Sequence, residues 1–113
     1  MANSVPPKIL TGTIGELIVQ LRLLEFGVQA SPPSKDTGND LIAIKGRCIK
    51  LIQVKTNTSR NNKKRIYDIL ARVILKYSED GRISFDATQV FFTFSSDIIA
   101  KPLTNELINQ IWT

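Results

Sequence analysis

Residues 51–56 read LIQVKT, a stretch with the composition of a buried β-strand that nevertheless carries a glutamine and a lysine. Successive side chains of a strand point to opposite faces, so Gln53 and Lys55 lie on one face while Ile52 and Val54 lie on the other. A buried glutamine needs hydrogen-bond partners. The polar pair is therefore either the solvated end of a strand or one wall of a functional site.

The same stretch belongs to a predicted β-hairpin. The apolar segments 40–44 (DLIAI) and 48–56 (CIKLIQVKT) flank Gly46 and Arg47, and glycine at the first central position suits a two-residue type II′ turn. The register of that turn places Asp40 opposite Gln53. Cross-strand partners share a face, so we expect Asp40, Gln53 and Lys55 to converge at one end of the hairpin.

A helix is predicted before the hairpin. Residues 1–10 contain two consecutive prolines and are expected to form a flexible or extended leader. Thr11 or Thr13 then caps a helix that ends at Gly27. Apolar residues at spacings of three and four predict its core-facing stripe, namely Ile14, Leu17, Ile18, Leu21, Leu23 and Leu24.

The pattern after the hairpin predicts a helix, a strand and a helix. Apolar spacings of three and four indicate an amphipathic helix over residues 66–77, although its β-branched content leaves a strand as the alternative. Residues 90–95 (VFFTFS) are apolar on both faces, which is typical of an interior strand, and a short helix is expected over 103–112. The prediction is a single α/β domain over residues 1–113, in which a mixed central sheet is flanked by helices in the order α-β-β-β-α-β-α.

Composition excludes several kinds of site. The 113 residues include no histidine, which excludes Ser-His-Asp triads, Cys-His pairs and histidine-ligated metals. One cysteine excludes a disulfide within the chain and a Cys-rich zinc cluster, and it favours a reducing, cytoplasmic location. No long apolar run or signal-peptide pattern occurs, so we expect no membrane association. The net charge of +5 favours a polyanionic partner.

Glu16 in the first helix, Asp40 at a strand start and Gln53-Val54-Lys55 in the next strand resemble the motif of the PD-(D/E)xK nuclease superfamily. The likeness covers roughly residues 11–95 and is greatest to the restriction-endonuclease-like and Holliday-junction-resolvase-like members. Gln53 stands where the E-x-K motif usually has an acid, a replacement known in some homing endonucleases and in a transposon end-cleaving subunit. Asn39 stands in place of the proline.

This resemblance implies a restriction-endonuclease-like core and a metal-dependent endonuclease that hydrolyses DNA phosphodiester bonds. Asp40 would be the principal metal ligand, with the Gln53 side-chain oxygen and the Val54 backbone carbonyl as further ligands. Glu16 would be an outer or second-metal ligand, and Lys55 would assist a magnesium-bound water in its attack. The implied cofactor is magnesium, with manganese as a substitute, and no small-molecule cofactor is expected. Oxygen ligands from one or two carboxylates are what Mg²⁺ ordinarily takes from a protein.

Two further expectations concern partners. The polar segment 57–65 follows Lys55 directly, and its cations are candidates for binding DNA phosphates, namely Arg60, Lys63, Lys64 and Arg65. The apolar strand at 90–95 and the hydrophobic C-terminal segment exceed what a domain of this size is expected to cover alone. We therefore expect a homodimer.

Each site residue also has a simpler interpretation. Lys55 has the alternative explanation of a strand that ends in solvent, Asp40 that of a turn residue, and Glu16 that of a capping box that begins at Thr13. The basic segment 57–65 is explained by a solvated surface. The alternative function is a catalytically inactive nuclease-like module that binds DNA or a protein, or a subunit active only in a larger assembly. RNA remains open as a substrate.

Overall fold

The computed structural model describes residues 7–34, 40–57, 67–94 and 99–113, which form two helices and one six-stranded sheet. The elements are α1 (Pro7–Glu25), β1 (Gln29–Ser31), β2 (Leu41–Lys45), β3 (Cys48–Thr56), β4 (Ile69–Ile74), β5 (Gln89–Phe94), β6 (Lys101–Pro102) and α2 (Asn105–Ile111). The strands follow one another across the sheet in chain order. Every pair is antiparallel except β3 with β4, which is parallel. The predicted α/β fold with a mixed sheet is confirmed.

The hairpin between β2 and β3 has the predicted register. Lys45 pairs with Cys48 and Leu41 with Ile52. Gly46 has a φ of +63°, a value that the first central position of a type II′ turn requires and that glycine adopts without strain. The turn chemistry therefore determines which residues of the two strands lie side by side.

The helix predicted over residues 66–77 is wrong, because Ile69–Ile74 form β4. Ile69, Ala71 and Val73 are fully buried on one face of the sheet, and Leu70 is buried on the other. A strand buried on both faces has a nearly continuous apolar sequence, which also satisfies helical spacing. The element order is consequently α-β-β-β-β-β-β-α rather than the predicted α-β-β-β-α-β-α.

The first helix begins earlier than predicted and ends where predicted. It starts at Pro7, so residues 7–10 are helical and do not belong to an extended leader. Proline is tolerated there because the first turn of a helix leaves its N–H groups unpaired in any case. At the other end Gly27 has a φ of +79°, and Val28 N donates to Leu23 O at 2.9 Å, as in a Schellman cap.

Both helices pack on the same face of the sheet, here called the helix face. Alternation and register place Ile52, Val54 and Thr56 of β3 on it, and these side chains lie with the apolar residues of α1 and α2 in or beside one cluster. From the end of α2, Trp112 packs at 6.5 Å from the Phe92 ring and donates its Nε1 proton to Ala43 O at 3.2 Å. The second face of the sheet carries Gln53 and Lys55.

The core-facing stripe predicted for α1 is correct in part. Ile18 and Leu23 are buried, as is Val19, which was not predicted. Leu17, Leu21 and Leu24 are exposed, so the expectation that they belong to the core is wrong. The helix is apolar on two sides, and the spacing alone does not distinguish the side that faces the sheet.

A homodimer was predicted from the apolar strand at 90–95 and the hydrophobic C-terminal segment, and the chain itself covers most of this hydrophobic surface. Phe92 of β5 and Ile108 of α2 are almost fully buried, and Trp112 is only 6% exposed. The C-terminal segment therefore closes the core of its own domain. Within the described ranges, no helix has both the length and the apolar character that crossing a membrane demands.

Candidate functional site

The candidate site lies where β2 and β3 separate at the end of the hairpin. β3 continues past the last residue paired with β2, so the Val54 N–H has no β2 acceptor. Asp40 supplies one, because its Oδ2 accepts from Val54 N at 2.8 Å. The same oxygen accepts from Gln53 Nε2 at 3.0 Å, while Asp40 N donates to Ile52 O. The predicted approach of Asp40 to Gln53 is thus observed.

Gln53 is 4% exposed, and of its two amide groups the Nε2 group has a hydrogen-bond partner. An ionised carboxylate can only accept, so the contact with Asp40 must use the Nε2 group, and this determines the orientation of the amide. Gln53 Oε1 is then buried without a hydrogen-bond partner among the described residues. A buried orphan oxygen costs about 1–3 kcal/mol. Such an atom requires an explanation, and a bound cation is a good one.

Glu16 reaches the site from α1. Burial raises the pKa of its carboxyl above the ordinary value of 4.5, and repulsion from Asp40 raises the pKa further. The interaction with Asp40 places the two carboxylates within electrostatic range of each other. The capping-box interpretation of Glu16 is wrong, because Thr13 lies well inside a helix that begins at Pro7.

The raised pKa predicts a stability change in Glu16→Gln. A carboxyl whose pKa is higher in the folded state favours folding below its unfolded pKa of about 4.5 and loses that contribution as pH rises through the folded value. At pH 7 the charged group opposes folding. We expect Glu16→Gln to raise the melting temperature of the metal-free protein at pH 7 and to change it little at pH 4.

The control for this prediction is Glu79→Gln, which removes an exposed acid from a turn and should have little effect at either pH. Thermal unfolding of the three proteins without divalent metal provides the measurement. A Glu16→Gln variant that is less stable than the parent at pH 7 would contradict the assignment.

Gly15 was not identified from the sequence, although it controls how closely α1 approaches β3. A Cβ atom at this position would lie 1.8 Å from Thr56 Oγ1, a distance that no side chain tolerates. Thr56 Oγ1 is itself buried without a partner among the described residues. A glycine inside a helical pattern is the available signal, since it costs about 1 kcal/mol relative to alanine and usually has a packing reason.

Lys55 is half-buried on the second face of the sheet, the face that also carries Gln53. The parallel register places Arg72 of β4 directly beside it, and paired residues share a face. Lys55 and Arg72 are therefore adjacent basic side chains on the face that carries Gln53. The predicted phosphate-binding residues Arg60, Lys63, Lys64 and Arg65 lie outside the described residues, as does Asn39.

The donors at the site match a hard cation. Asp40 and Glu16 offer carboxylate oxygens, and Gln53 offers an unused amide oxygen. Mg²⁺ prefers oxygen ligands and commonly takes only one or two carboxylates from a protein. The described part of the chain contains no cluster of three or more histidine, cysteine or acidic residues that could hold a metal ion, so a cation here would depend on the two carboxylates and the Gln53 amide oxygen.

The fold is similar to that of a solved structure. The structure of a bacterial homing endonuclease, I-Ssp6803I, superimposes with a TM-score of 0.52 over 89% of this chain and 82% of that chain. The fold is nuclease-like. Sequence identity is 18%, so the likeness concerns the fold. No protein-family model and no curated protein sequence matches the chain.

Proposed function

We propose that this nuclease-like chain is a metal-dependent endonuclease that hydrolyses DNA phosphodiester bonds. The observation that carries the proposal is the unpartnered, buried Gln53 Oε1 next to the Asp40 carboxylate. Proteins rarely leave such an oxygen without a purpose, and here it belongs to the amide that donates to Asp40, whose charge in turn raises the pKa of Glu16. A cation held by Asp40, Gln53 and Glu16 would satisfy it.

Each residue of the site has a distinct task in this proposal. Asp40 is the principal ligand, and its bond from Val54 N holds the carboxylate in place. Glu16 adds a second negative charge, and the Val54 backbone carbonyl is a further candidate ligand. Magnesium, or manganese in its place, would lower the pKa of a water molecule and neutralise negative charge on the phosphate. Lys55 orients the attacking water and stabilises the negative charge that develops on the phosphate.

Positive charge next to the site supports DNA as the substrate. Lys55 and Arg72 are neighbours on the second face, and the chain as a whole carries a charge of +5. Cations of this kind contact the phosphates on both sides of a cleavage point. We assign the same role to the sequence-predicted residues Arg60, Lys63, Lys64 and Arg65 and place the enzyme in the cytoplasm.

The experiment that tests the proposed activity is a cleavage assay on supercoiled, linear, branched and single-stranded DNA. Each form is incubated with magnesium, with manganese and with a chelator. We expect cleavage only when a divalent metal is present. Binding without cleavage of any form would favour the alternative, a nuclease-like module that binds DNA without cutting it.

Gln53→Glu provides a test that needs no knowledge of the DNA sequence. A carboxylate in place of the amide would face Asp40 Oδ2 across the present 3.0 Å contact, which raises a carboxyl pKa and destabilises the metal-free fold. When magnesium is present, the added carboxylate can coordinate it. We expect a lower melting temperature than the parent without metal, and a larger rise on magnesium titration.

Gln89→Glu is the matched control, because it adds the same charge at an exposed position of β5 in the same sheet. Its response to magnesium should equal that of the parent. If Gln53→Glu also titrates like the parent, and the parent shows no magnesium response even with DNA bound, the metal assignment is wrong.

A further inference from the structure

The outer side of α1 carries four exposed leucines, here called the leucine stripe: Leu10, Leu17, Leu21 and Leu24. Their exposed fractions are 49%, 57%, 47% and 61%, respectively. Isolated exposed leucines need no explanation. Four on one side of a single helix form a continuous apolar surface, and such surfaces in soluble proteins mark interaction sites.

The spacing of the stripe is that of a helix-pairing seam. Together with the half-buried Ile14, the leucines follow one another at intervals of four, three, four and three residues. This is the a and d pattern of a heptad repeat, which places the side chains along one line of the helix. α1 has 19 residues and is therefore about 28 Å long, so the seam extends over about four turns.

The described part of the chain leaves the leucines of this seam exposed, and of the seam residues Ile14 packs against the core. α1 contacts the sheet through another side, where Gly15 lies against Thr56 and where Val19 and Leu23 are fully buried. Leu17, Leu21 and Leu24 point away from this contact and remain about half exposed.

A groove of about 570 Å³ lies beside the leucines, between α1 and β1. Its lining contains apolar and amide side chains and no charged residue, namely Leu17, Gln20, Leu21, Leu24, Gly27, Gln29 and Ala30. One surface thus offers both a ridge and an adjoining groove. Such a surface can pair with itself about a twofold axis, since each copy then contributes the same two features.

We propose that the leucine stripe is the interface between two copies of this chain, paired through antiparallel α1 helices. In that arrangement Leu17 lies near the twofold axis, and Leu10 of each copy faces Leu24 of the other. Each copy carries a charge of +5, so two copies repel least when they meet through an uncharged surface. The same lack of charge makes this surface unsuitable for DNA, whose phosphates require cations.

This inference concerns assembly and does not rest on the proposed nuclease activity. The sequence predicted a homodimer from the apolar strand at 90–95 and the hydrophobic C-terminal segment. The C-terminal segment is buried within its own domain, so the leucine stripe is a different surface. The second face, with Lys55 and Arg72, lies on the opposite side of the sheet from α1. Both copies keep their candidate site.

Sedimentation velocity at tens of micromolar provides the test. We expect the parent protein to be a dimer and the double variant Leu17→Lys/Leu21→Lys to be a monomer, with a dissociation constant raised at least about 100-fold. Ile49→Lys is the matched control, because Ile49 is 57% exposed, as is Leu17, but lies on β3. This variant should remain a dimer.

Far-UV circular dichroism verifies that the variants are folded, and a cross-link provides a second readout that does not depend on affinity. In a Cys48→Ser background, Leu17→Cys should form a disulfide-linked dimer on oxidation, whereas Ile49→Cys should not. A monomeric parent protein, or a dimer that Ile49→Lys dissociates and Leu17→Lys/Leu21→Lys does not, overturns the proposal.

Discussion

Asp40→Asn is expected to lower metal-dependent DNA cleavage by about 10²- to 10³-fold, the range typical of losing one group that stabilises the transition state. The substitution removes the charge that would bind the proposed cation but preserves the shape of the side chain. The asparagine oxygen can still accept from Val54 N, which Asp40 Oδ2 does now at 2.8 Å. The hairpin should therefore stay folded while the activity is lost.

Alanine is a poorer choice at this position. Asp40→Ala would leave the Val54 N–H and the Gln53 amide without their acceptor. Each unsatisfied buried group costs about 1–3 kcal/mol. Lost activity in that variant would have two explanations, reduced stability and a missing ligand, whereas Asp40→Asn separates them.

Asp68→Asn is the matched control for this prediction. The Asp68 carboxylate also accepts a hydrogen bond from a β3 backbone amide, that of Leu51 at 2.8 Å, but it is exposed and precedes β4. We expect this variant to retain activity. If Asp40→Asn and Asp68→Asn lose similar amounts of activity, the Asp40 carboxylate supports the fold of β3 and does not bind a metal.

Gly15→Ala is expected to destabilise the protein by about 1–3 kcal/mol, the usual cost of overpacking. The new methyl group would overlap Thr56 Oγ1 and approach Thr56 Cβ to 2.9 Å, so the helix must move away from β3. Glu16 is the next residue and would move with it, away from Asp40. Urea unfolding should therefore show lower stability, and the magnesium response should weaken in the same variant.

Two companion variants make this prediction specific. Gly12→Ala adds the same methyl group to the same helix where nothing lies within 4 Å, so it should be neutral or stabilising by up to about 1 kcal/mol. Thr56→Ala removes the overlapping hydroxyl, and the double variant Gly15→Ala/Thr56→Ala should recover part of the loss. If the effects of Gly15→Ala and Thr56→Ala on the free energy of unfolding simply add in the double variant, Gly15 and Thr56 do not interact.

The sequence predicted the hairpin and the approach of Asp40 to Gln53 because a two-residue turn at Gly46 determines the register of everything beyond it. It predicted β4 only as the alternative to a helix, since Leu70 and Ala71 are buried on opposite faces and the alternation that distinguishes strands is lost. The exposure of Leu17 was missed for a related reason. Periodicity detects an apolar side of a helix but does not state what covers it.

The environment of Gln53 Oε1 also lay beyond the sequence. Whether a buried amide is fully bonded depends on where one carboxylate oxygen points, and the register specifies only that the two residues are neighbours. Gly15 illustrates the same limit, because a missing side chain gives no periodic signal and its role appears only when a helix contacts a strand.

Trp112 is the only tryptophan of the chain, and its place in the structure makes it an optical reporter. Its indole is almost fully removed from water, packs on Phe92 and is hydrogen-bonded to Ala43, which lies in the strand that follows Asp40. Unfolding transfers the ring to water, so its emission should shift to longer wavelength. Intrinsic fluorescence can therefore follow the folding of every variant described above, without a label and without substrate.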